Sequence, residues 1–160
     1  MNMFVDVTDG QHLNARTGPS TNETIKYYIP RGDEVTVIQS NTNGSSLGNE
    51  VKPTLFPDRG TAWVMDSYLS DTHPGAKHDT LAFALGDKTL SYGYFGRYVH
   101  NLQIGLGVTA DGDFGPATFA AVKDFQSNNG LTVDGIAGAN TKTALWNDTT
   151  SQSNIINNGI

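Results

Sequence analysis

Apolar residues recur three or four positions apart in the second half of the chain. They fall into three groups, which are Val99, Leu102 and Leu106, then Ala121, Val122 and Phe125, then Ala144 and Leu145. This spacing is typical of helices that bury one face. Pro116 follows Gly115 and suits the first position of a helix, where its missing N–H costs nothing. The pattern predicts three short helices joined by two loops.

The same stretch repeats itself with a period of 23 residues. A shift by one period places Gln103 on Gln126, Asp111-Gly112 on Asp134-Gly135, and Thr118 on Thr141. A fixed internal period indicates one supersecondary unit that is used more than once. Asp-Gly pairs favour turns, because glycine reaches positive φ and aspartate accepts nearby backbone N–H groups. The two loops are therefore predicted to be equivalent.

Short strand-like runs fill the first part of the chain, to about Asp71. Val5 and Val7 alternate with polar residues, and further runs of β-branched and aromatic residues follow at 25–29, 34–38 and 62–65. Clusters of Gly, Pro, Asn and Asp separate these runs, as expected for strands joined by turns. The first part is therefore predicted to be a small barrel or sandwich. Together the two halves predict a multidomain α+β protein.

Residues 90–145 carry an ordered series of motifs. The series runs Leu90-Ser91-Tyr92-Gly93, Val99-x-x-Leu102-Gln103-x-x-Leu106, Asp111-Gly112-Asp113-Phe114-Gly115-Pro116-x-Thr118, Ala121-Val122-x-x-Phe125-Gln126, and Leu131-x-Val133-Asp134-Gly135-x-x-Gly138-x-x-Thr141-x-x-Ala144-Leu145. It resembles the type 1 peptidoglycan-binding domain over residues 89–147. The resemblance implies a three-helix module that holds cell-wall hydrolases on murein, and it implies no chemistry.

The first part carries a second set of motifs. These are Leu13-Asn14-Ala15-Arg16-Thr17-Gly18-Pro19-Ser20, the run at 29–38, and Ala62-Trp63-Val64-Met65-x-x-Tyr68-Leu69-Ser70. They resemble a bacterial SH3-like domain, which implies a small β-barrel. The middle departs from that family: residues 41–52 stand where a Trp-containing strand is usual, and a longer loop follows at 53–60. The expected organisation is a barrel at 1–70, a linker at 71–88, the helical module at 89–147 and a flexible tail at 148–160.

Charge and composition narrow the range of partners. The chain has 160 residues, a formal net charge of −6 and no cysteine. No basic face is visible for nucleic acid, and no apolar run is long enough for a membrane span. We expect peptidoglycan as the partner, read through neutral glycan or stem peptide, and no cofactor. A hydrolase domain or another protein is a further possible partner.

Exposed aromatic rings are the candidate contacts for sugar or peptide, because they bury a large area at little entropic cost. In the helical module these are Tyr92, Tyr94 and Tyr98, beside Phe95. The alternative for one or two of them is a place in the small core. In the first domain the candidates are Tyr27, Tyr28 and Tyr68. Tyr27 and Tyr28 are adjacent on a predicted strand, so one faces outward and the other inward.

Asp111, Asp113 and Thr118 are the polar candidates for ligand contact. Turn formation and the start of a helix are the favoured interpretation of these residues. A ligand contact stays compatible with it, since helix N-termini present free N–H groups.

The sequence shows no catalytic constellation. It lacks a His-Glu-x-x-His pair for zinc and, having no cysteine, a Cys-His couple. His73, His78 and Asp79 fall in a Pro/Gly-rich stretch and make a poor metal site. We therefore predict no catalytic residue and no metal ligand.

The best-supported function is a non-catalytic peptidoglycan-binding protein or the targeting unit of a cell-wall hydrolase. The alternative is a structural or adaptor protein of a phage virion, secretion system or toxin. The expected location is extracellular or in the cell wall. Residues 1–6 do not resemble a signal peptide, so this location implies release by lysis, unusual export or a fragment of a longer secreted chain.

Overall fold

The computed structural model describes residues 1–8, 11–40, 48–72, 74 and 80–160. They form two compact units, Met1–Ala76 and Lys77–Ile160. The first unit is built from strands and the second from helices. No helix among the described residues has the length and apolar character that a membrane crossing requires.

The first unit contains a seven-stranded antiparallel sheet. Its strands are β1 Asn2–Val5, β2 His12–Arg16, β3 Ile25–Pro30, β4 Glu34–Ser40, β5 Asn49–Pro53, β6 Ala62–Val64 and β7 Leu69–Ser70. Their order in the sheet is β3-β2-β6-β5-β4-β1-β7. Single turns of 3-10 helix lie at Pro57–Arg59 and Asp66–Tyr68.

Alternation along the strands decides which side chains enter the core of this unit. Leu13 and Ala15 on β2 are buried while their neighbours are half-exposed, and Val5, Val35, Val51 and Val64 are fully buried. This is the period of two expected for a sheet with one packed face.

Strand β5 was not among the predicted strand-like runs, and its first four residues lie in the segment where the sequence departs from the SH3-like pattern. It pairs with β4 and with β6. Its first residue, Asn49, is buried, and its Nδ2 donates to Asp66 Oδ1 at 2.6 Å. A hydrogen-bonded polar side chain thus occupies a core position of the strand.

The described residues of the second unit, 80–160, contain five helices. They are α1 Leu81–Leu85, α2 Arg97–Leu106, α3 Pro116–Asn128, α4 Ala139–Asn147 and α5 Thr149–Asn158. Helices α2, α3 and α4 confirm the three that the apolar spacing predicts. Their buried faces meet in one core that includes Leu90, Val99, Leu102, Phe114, Val122, Leu145 and Ile155.

Helix α5 differs from the flexible tail expected at 148–160. Its first turn is capped by Asp148, whose Oδ1 accepts from the Ser151 N–H at 2.8 Å. Ile155 is only 2% exposed. It packs where Gly105 has no side chain, since a Cβ there would lie 2.8 Å from Ile155 Cδ1. The missing methyl group lets α5 approach α2 closely.

Helix α1 lies inside the linker expected at 71–88. Its Phe83 and Ala84 are buried, and two side chains of α2 hold its backbone. Arg97 Nη1 donates to the Phe83 carbonyl at 2.9 Å, and Asn101 Nδ2 donates to the Ala84 carbonyl at 2.9 Å. The Asn101 amide also pairs with the backbone N–H and carbonyl of Ile160. Asn101 therefore anchors both added helical segments to α2.

Lys142 is a buried cation on α4. Its Nζ donates to the carbonyls of Gly86 at 2.6 Å and Lys88 at 2.8 Å, and it holds the segment after α1 in place. Burial lowers the pKa of Lys142 to about 8, partly opposed by the negative charge of Asp87. Carbonyl oxygens take the place of the water that the ammonium group loses.

Replacing Ile155 by alanine tests the docking of α5. We expect Ile155→Ala to lower the free energy of unfolding by about 2–4 kcal/mol, because it leaves a cavity beside Gly105. Ile156 is 40% exposed on the same helix and supplies the matched control. Ile156→Ala is expected to change stability by less than about 0.5 kcal/mol in urea titrations. Equal effects of the two variants would contradict the docked helix.

The Lys142 ammonium predicts a pH dependence of stability. Its folded pKa of about 8 lies below the ordinary 10.5, so between these values the unfolded chain binds more protons. The free energy of unfolding is therefore expected to gain a rising contribution from pH 8 to 10.5. Lys142→Met removes that rise, measured as the difference between the two proteins in denaturant titrations at each pH. A difference that stays constant over this range would contradict the assignment.

Candidate functional site

The second loop of the repeat is organised by one buried side chain, Gln126 of α3. Its Nε2 donates to Asp134 Oδ1 at 2.8 Å, to the Ile136 carbonyl at 2.9 Å and to Thr141 Oγ1 at 3.0 Å. Its Oε1 accepts the N–H groups of Asp134 and Gly135. One amide thus joins α3, the loop and the first turn of α4.

The first loop contains the same arrangement around Gln103 of α2. Nε2 donates to Asp111 Oδ1 at 2.8 Å, to the Asp113 carbonyl at 2.9 Å and to Thr118 Oγ1 at 2.8 Å. Its Oε1 accepts from the Gly112 N–H at 2.9 Å. The two loops are therefore equivalent, as predicted, because both are held by the same type of hydrogen-bond network. Neither glutamine was predicted as its centre.

The polar candidates belong to this network. Asp111 is exposed, and its Oδ1 also accepts from the Asp113 N–H at 3.0 Å. The Asp113 side chain is exposed as well, whereas Thr118 is buried at 2% exposure and bonded to Gln103. All three hold the turn in shape, and burial removes Thr118 from any ligand.

Asp134 is the equivalent carboxylate of the second loop. The Ile136 N–H and then the Gln126 amide hold the pKa of Asp134 below its ordinary value. The carboxylate is exposed and stays ionised, so it places a fixed negative charge at the surface of this loop.

The segment before α2 joins both loops. Leu90 and Ala137 exchange two backbone hydrogen bonds, at 3.1 and 2.8 Å. At the other end of the segment, the Phe114 N–H donates to the Tyr94 carbonyl at 2.8 Å. The residues between these pairs are held at the surface between the two turns.

The tyrosines of this segment have different surroundings. Tyr92 is 62% exposed, and its ring meets Phe119 edge to face with centroids 6.5 Å apart. Tyr94 is half-buried against the core. Tyr98 is 6% exposed and packs on Gly86, where a Cβ would lie 2.5 Å from its ring. Tyr98 is therefore a core residue, which corrects its place among the ligand candidates.

Phe119 continues the exposed aromatic surface toward the second loop. Its ring covers Gly135, whose positive φ of 74° and lack of a side chain leave room for it. Lys123 Nζ lies 5.6 Å from the Phe119 centroid. Ile136 follows Gly135 and is 40% exposed. We call Tyr92, Phe119 and Ile136 the aromatic edge.

A groove of about 370 Å³ lies on the other side of the same loop. It is lined by Thr89, Gln126, Leu131, Thr132, Asp134, Ile136, Gly138, Ala139, Asn140 and Thr141. Ile136 belongs both to the groove and to the aromatic edge. A groove that mixes apolar and polar lining residues beside an exposed aromatic ring has the composition of a small-molecule or saccharide site.

The first unit places its three candidate tyrosines separately. Tyr27 is 4% exposed, its hydroxyl donates to the Gly60 carbonyl at 3.0 Å, and burial raises its pKa. This burial corrects its place among the ligand candidates. Tyr28 is half-buried and meets the His12 ring edge to face at 4.5 Å. Tyr68 is 42% exposed.

Tyr68 lies at a second groove, of about 290 Å³. The groove is lined by Val7, Thr8, Gln11, His12, Leu13, Asn14, Arg16, Thr21, Met65 and Tyr68. Asn14 and Arg16, which belong to the first SH3-like motif, line this groove. Arg16 keeps a turn role, since its Nη1 donates to the Glu23 carbonyl at 2.7 Å.

Among the described residues, no three His, Cys, Asp or Glu side chains form a cluster that could hold a metal ion. His73, His78 and Asp79 lie outside the described residues.

Comparison with known proteins bears on the helical unit. Residues 90–145 match the family model described as a putative peptidoglycan binding domain. The match begins at the Leu90 bridge and ends in α4, so it contains both glutamine networks, the aromatic edge and most of the groove. Helices α1 and α5 lie outside it.

A curated relative matches part of the chain. Over 66 residues the chain is 51% identical to the zinc D-Ala-D-Ala carboxypeptidase of Streptomyces albus G, a match that covers 36% of this chain and 26% of that protein. The chain thus spans about a quarter of that relative's length.

Two solved structures also match. The SleB N-terminal domain is 38% identical, covering 39% of this chain and 93% of that domain, with a TM-score of 0.38. A peptidoglycan-binding protein from Clostridioides difficile is 22% identical, covering 81% of this chain and 66% of that one, with a TM-score of 0.36.

The glutamine networks predict a large effect of one substitution. Gln126→Leu leaves the Asp134 and Gly135 N–H groups without their acceptor, and we expect a loss of about 2–3 kcal/mol in the free energy of unfolding. Gln126→Glu retains an acceptor but cannot donate to Asp134, so it is expected to be destabilising too. Ser127→Ala at the exposed neighbouring position is the control. Urea titration measures the three variants, and a Gln126→Leu effect as small as that of Ser127→Ala would contradict the network.

Proposed function

We propose that the helical unit binds peptidoglycan and that the chain serves as a non-catalytic wall-binding protein. The observation that carries this proposal is the match of residues 90–145 to the peptidoglycan-binding family model. The aromatic edge and the adjoining groove supply a surface of suitable character within the matched residues. The sequence has neither a His-Glu-x-x-His pair nor a cysteine, and this favours binding without zinc or thiol catalysis.

Both glutamine networks support this assignment, because each holds its loop in place from the buried side. Because Gln126 satisfies the loop from the buried side, the outer side of residues 132–140 stays available to a ligand. A surface that is ordered before binding loses little conformational entropy when the ligand arrives. Tyr92 is held in the same way by the Leu90 bridge.

The first unit is proposed as a second, weaker contact. Its resemblance to a bacterial SH3-like barrel and the groove beside Tyr68 favour a wall ligand there as well. Two weak sites on one chain raise the overall affinity for a polymer through effective concentration. Such linkage suits a ligand that repeats along a surface.

A hydrolase is the proposed context of this binding. The 51% identical relative is a zinc carboxypeptidase, and the matched region makes up 26% of it. We therefore propose that the chain targets a cell-wall hydrolase, as part of it or as its partner. The corresponding location is the cell wall or the extracellular space.

Removing the exposed ring of Tyr92 tests the proposed function. We expect Tyr92→Ala to weaken co-sedimentation of the full chain with purified murein sacculi about 3- to 10-fold, the contribution of one aromatic contact. Ile156→Ala removes a similarly exposed apolar side chain from α5 and is expected to bind normally. Failure of the unaltered chain to sediment with sacculi would overturn the proposal. In that case a protein partner becomes the better explanation.

The same assay separates one site from two. Tyr68→Ala is expected to weaken binding less than Tyr92→Ala, and the double variant is expected to weaken it more than either. A double variant that binds like Tyr92→Ala would confine the function to the helical unit.

A further inference from the structure

The groove of the helical unit offers hydrogen-bonding groups that the fold itself does not use. Thr89, Thr132 and Asn140 line it, are exposed, and make no hydrogen bond from their side chains to any described residue. Hydroxyl and amide groups both donate and accept, so they suit a ligand with mixed donors and acceptors. The other uncharged polar residues of the lining, Gln126 and Thr141, bond to each other within the loop network.

The charge of the groove favours one part of peptidoglycan. Asp134 carries the one formal charge among its lining residues, and that charge is negative. Lys123 contacts Phe119 at the aromatic edge and does not line the groove. The peptide part of peptidoglycan bears free carboxylates, and no cationic side chain lines the groove to pair with them. The N-acetylhexosamine part offers hydroxyl and acetamido groups, which donate hydrogen bonds to a carboxylate and pair with an amide.

The aromatic edge also suits the N-acetylhexosamine part of peptidoglycan. Tyr92 is 62% exposed beside Phe119, so much of its ring is open to a flat apolar surface. The C–H face of a pyranose ring is such a surface, while its rim carries the polar groups. Ile136 lines the groove and also belongs to the aromatic edge, so the two surfaces adjoin and one ligand can contact both.

From these observations we infer that the groove and the aromatic edge of the helical unit read the uncharged N-acetylhexosamine chain of peptidoglycan and not its stem peptide. This inference rests on the proposed function of the same unit. Tyr92 stacks on a sugar ring, while Asn140 and Thr132 read the hydroxyl and acetamido groups of the sugars beside it.

Competition for sacculi tests this assignment. The full chain is bound to purified sacculi and challenged with a soluble N-acetylglucosamine pentamer or with a synthetic stem tetrapeptide at equal concentration. We expect the pentamer to release the chain and the peptide to leave it bound. Release is also expected to change little between low salt and about 0.5 M salt, since no ion pair holds the ligand.

Asn140→Ala provides the residue-level test. We expect the pentamer concentration that releases half of the bound chain to be about 3- to 10-fold higher for this variant, the effect of one or two lost hydrogen bonds. Asn147→Ala changes an exposed asparagine at the other end of α4, outside the groove, and is the matched control. Thermal unfolding of both variants is expected to match that of the unaltered chain, so that altered binding reports on contact and not on folding.

The results that would contradict the glycan assignment differ from those that would contradict the proposed function. If the chain binds sacculi but is released by the peptide, or by neither probe, the glycan assignment is wrong and the proposed function stands. If the pentamer releases the Asn140→Ala and Asn147→Ala variants equally well, the groove does not contact the glycan. If the chain does not bind sacculi at all, the proposed function and this inference both fail.

Discussion

The helical unit depends on two buried glutamine amides. Each lies at the same position of the 23-residue repeat and satisfies an aspartate, a backbone carbonyl, a threonine hydroxyl and the N–H groups of an Asp-Gly turn. An amide is the side chain suited to this place, because it donates and accepts from one rigid plane. Leaving these buried groups unpaired would cost more than the hydrogen bonds contribute when they form. Each turn therefore has one low-energy shape.

This constraint explains how a small unit presents a defined surface without disulfides. The polar network is inside, where it orders the loops, and the exposed side of the second loop is left to the groove and to Ile136. The Leu90 bridge attaches Tyr92 to the same loop. Helices α1 and α5 then close the core from the opposite side through Asn101 and Ile155, beyond the residues that the family model matches.

The sequence predicted the elements whose signal is periodic. Helices α2, α3 and α4 bury one apolar stripe, and this spacing survives in the sequence. Helix α5 has no such stripe: Thr, Ser and Asn make up most of it, and a single buried isoleucine with side chains from α2 holds it. Strand β5 was missed for a similar reason, since a hydrogen-bonded asparagine stands where an apolar residue would reveal a strand.

The sequence indicated which types of residue lie at the candidate site better than it indicated which of them are exposed. Tyr92 is exposed as expected, whereas Tyr98 stands four residues before Leu102 on α2, a spacing that places it on the buried face. The aspartates were assigned correctly to the turns. The glutamines that organise them were overlooked, although both fall at the same place in the repeat, and a polar residue that persists at a buried helical position is the signal of such a network.

The repeat and the sheet differ in how far along the chain their contacts reach. Each glutamine joins residues between 8 and 15 positions away. In the sheet, β1 pairs with β7, so the first strand of that unit is completed only by its last. Contacts that are close in sequence form faster than distant ones. The two glutamine-centred turns are therefore expected to form before the sheet is complete, and during synthesis one edge of β1 remains open until residues 69–70 have emerged.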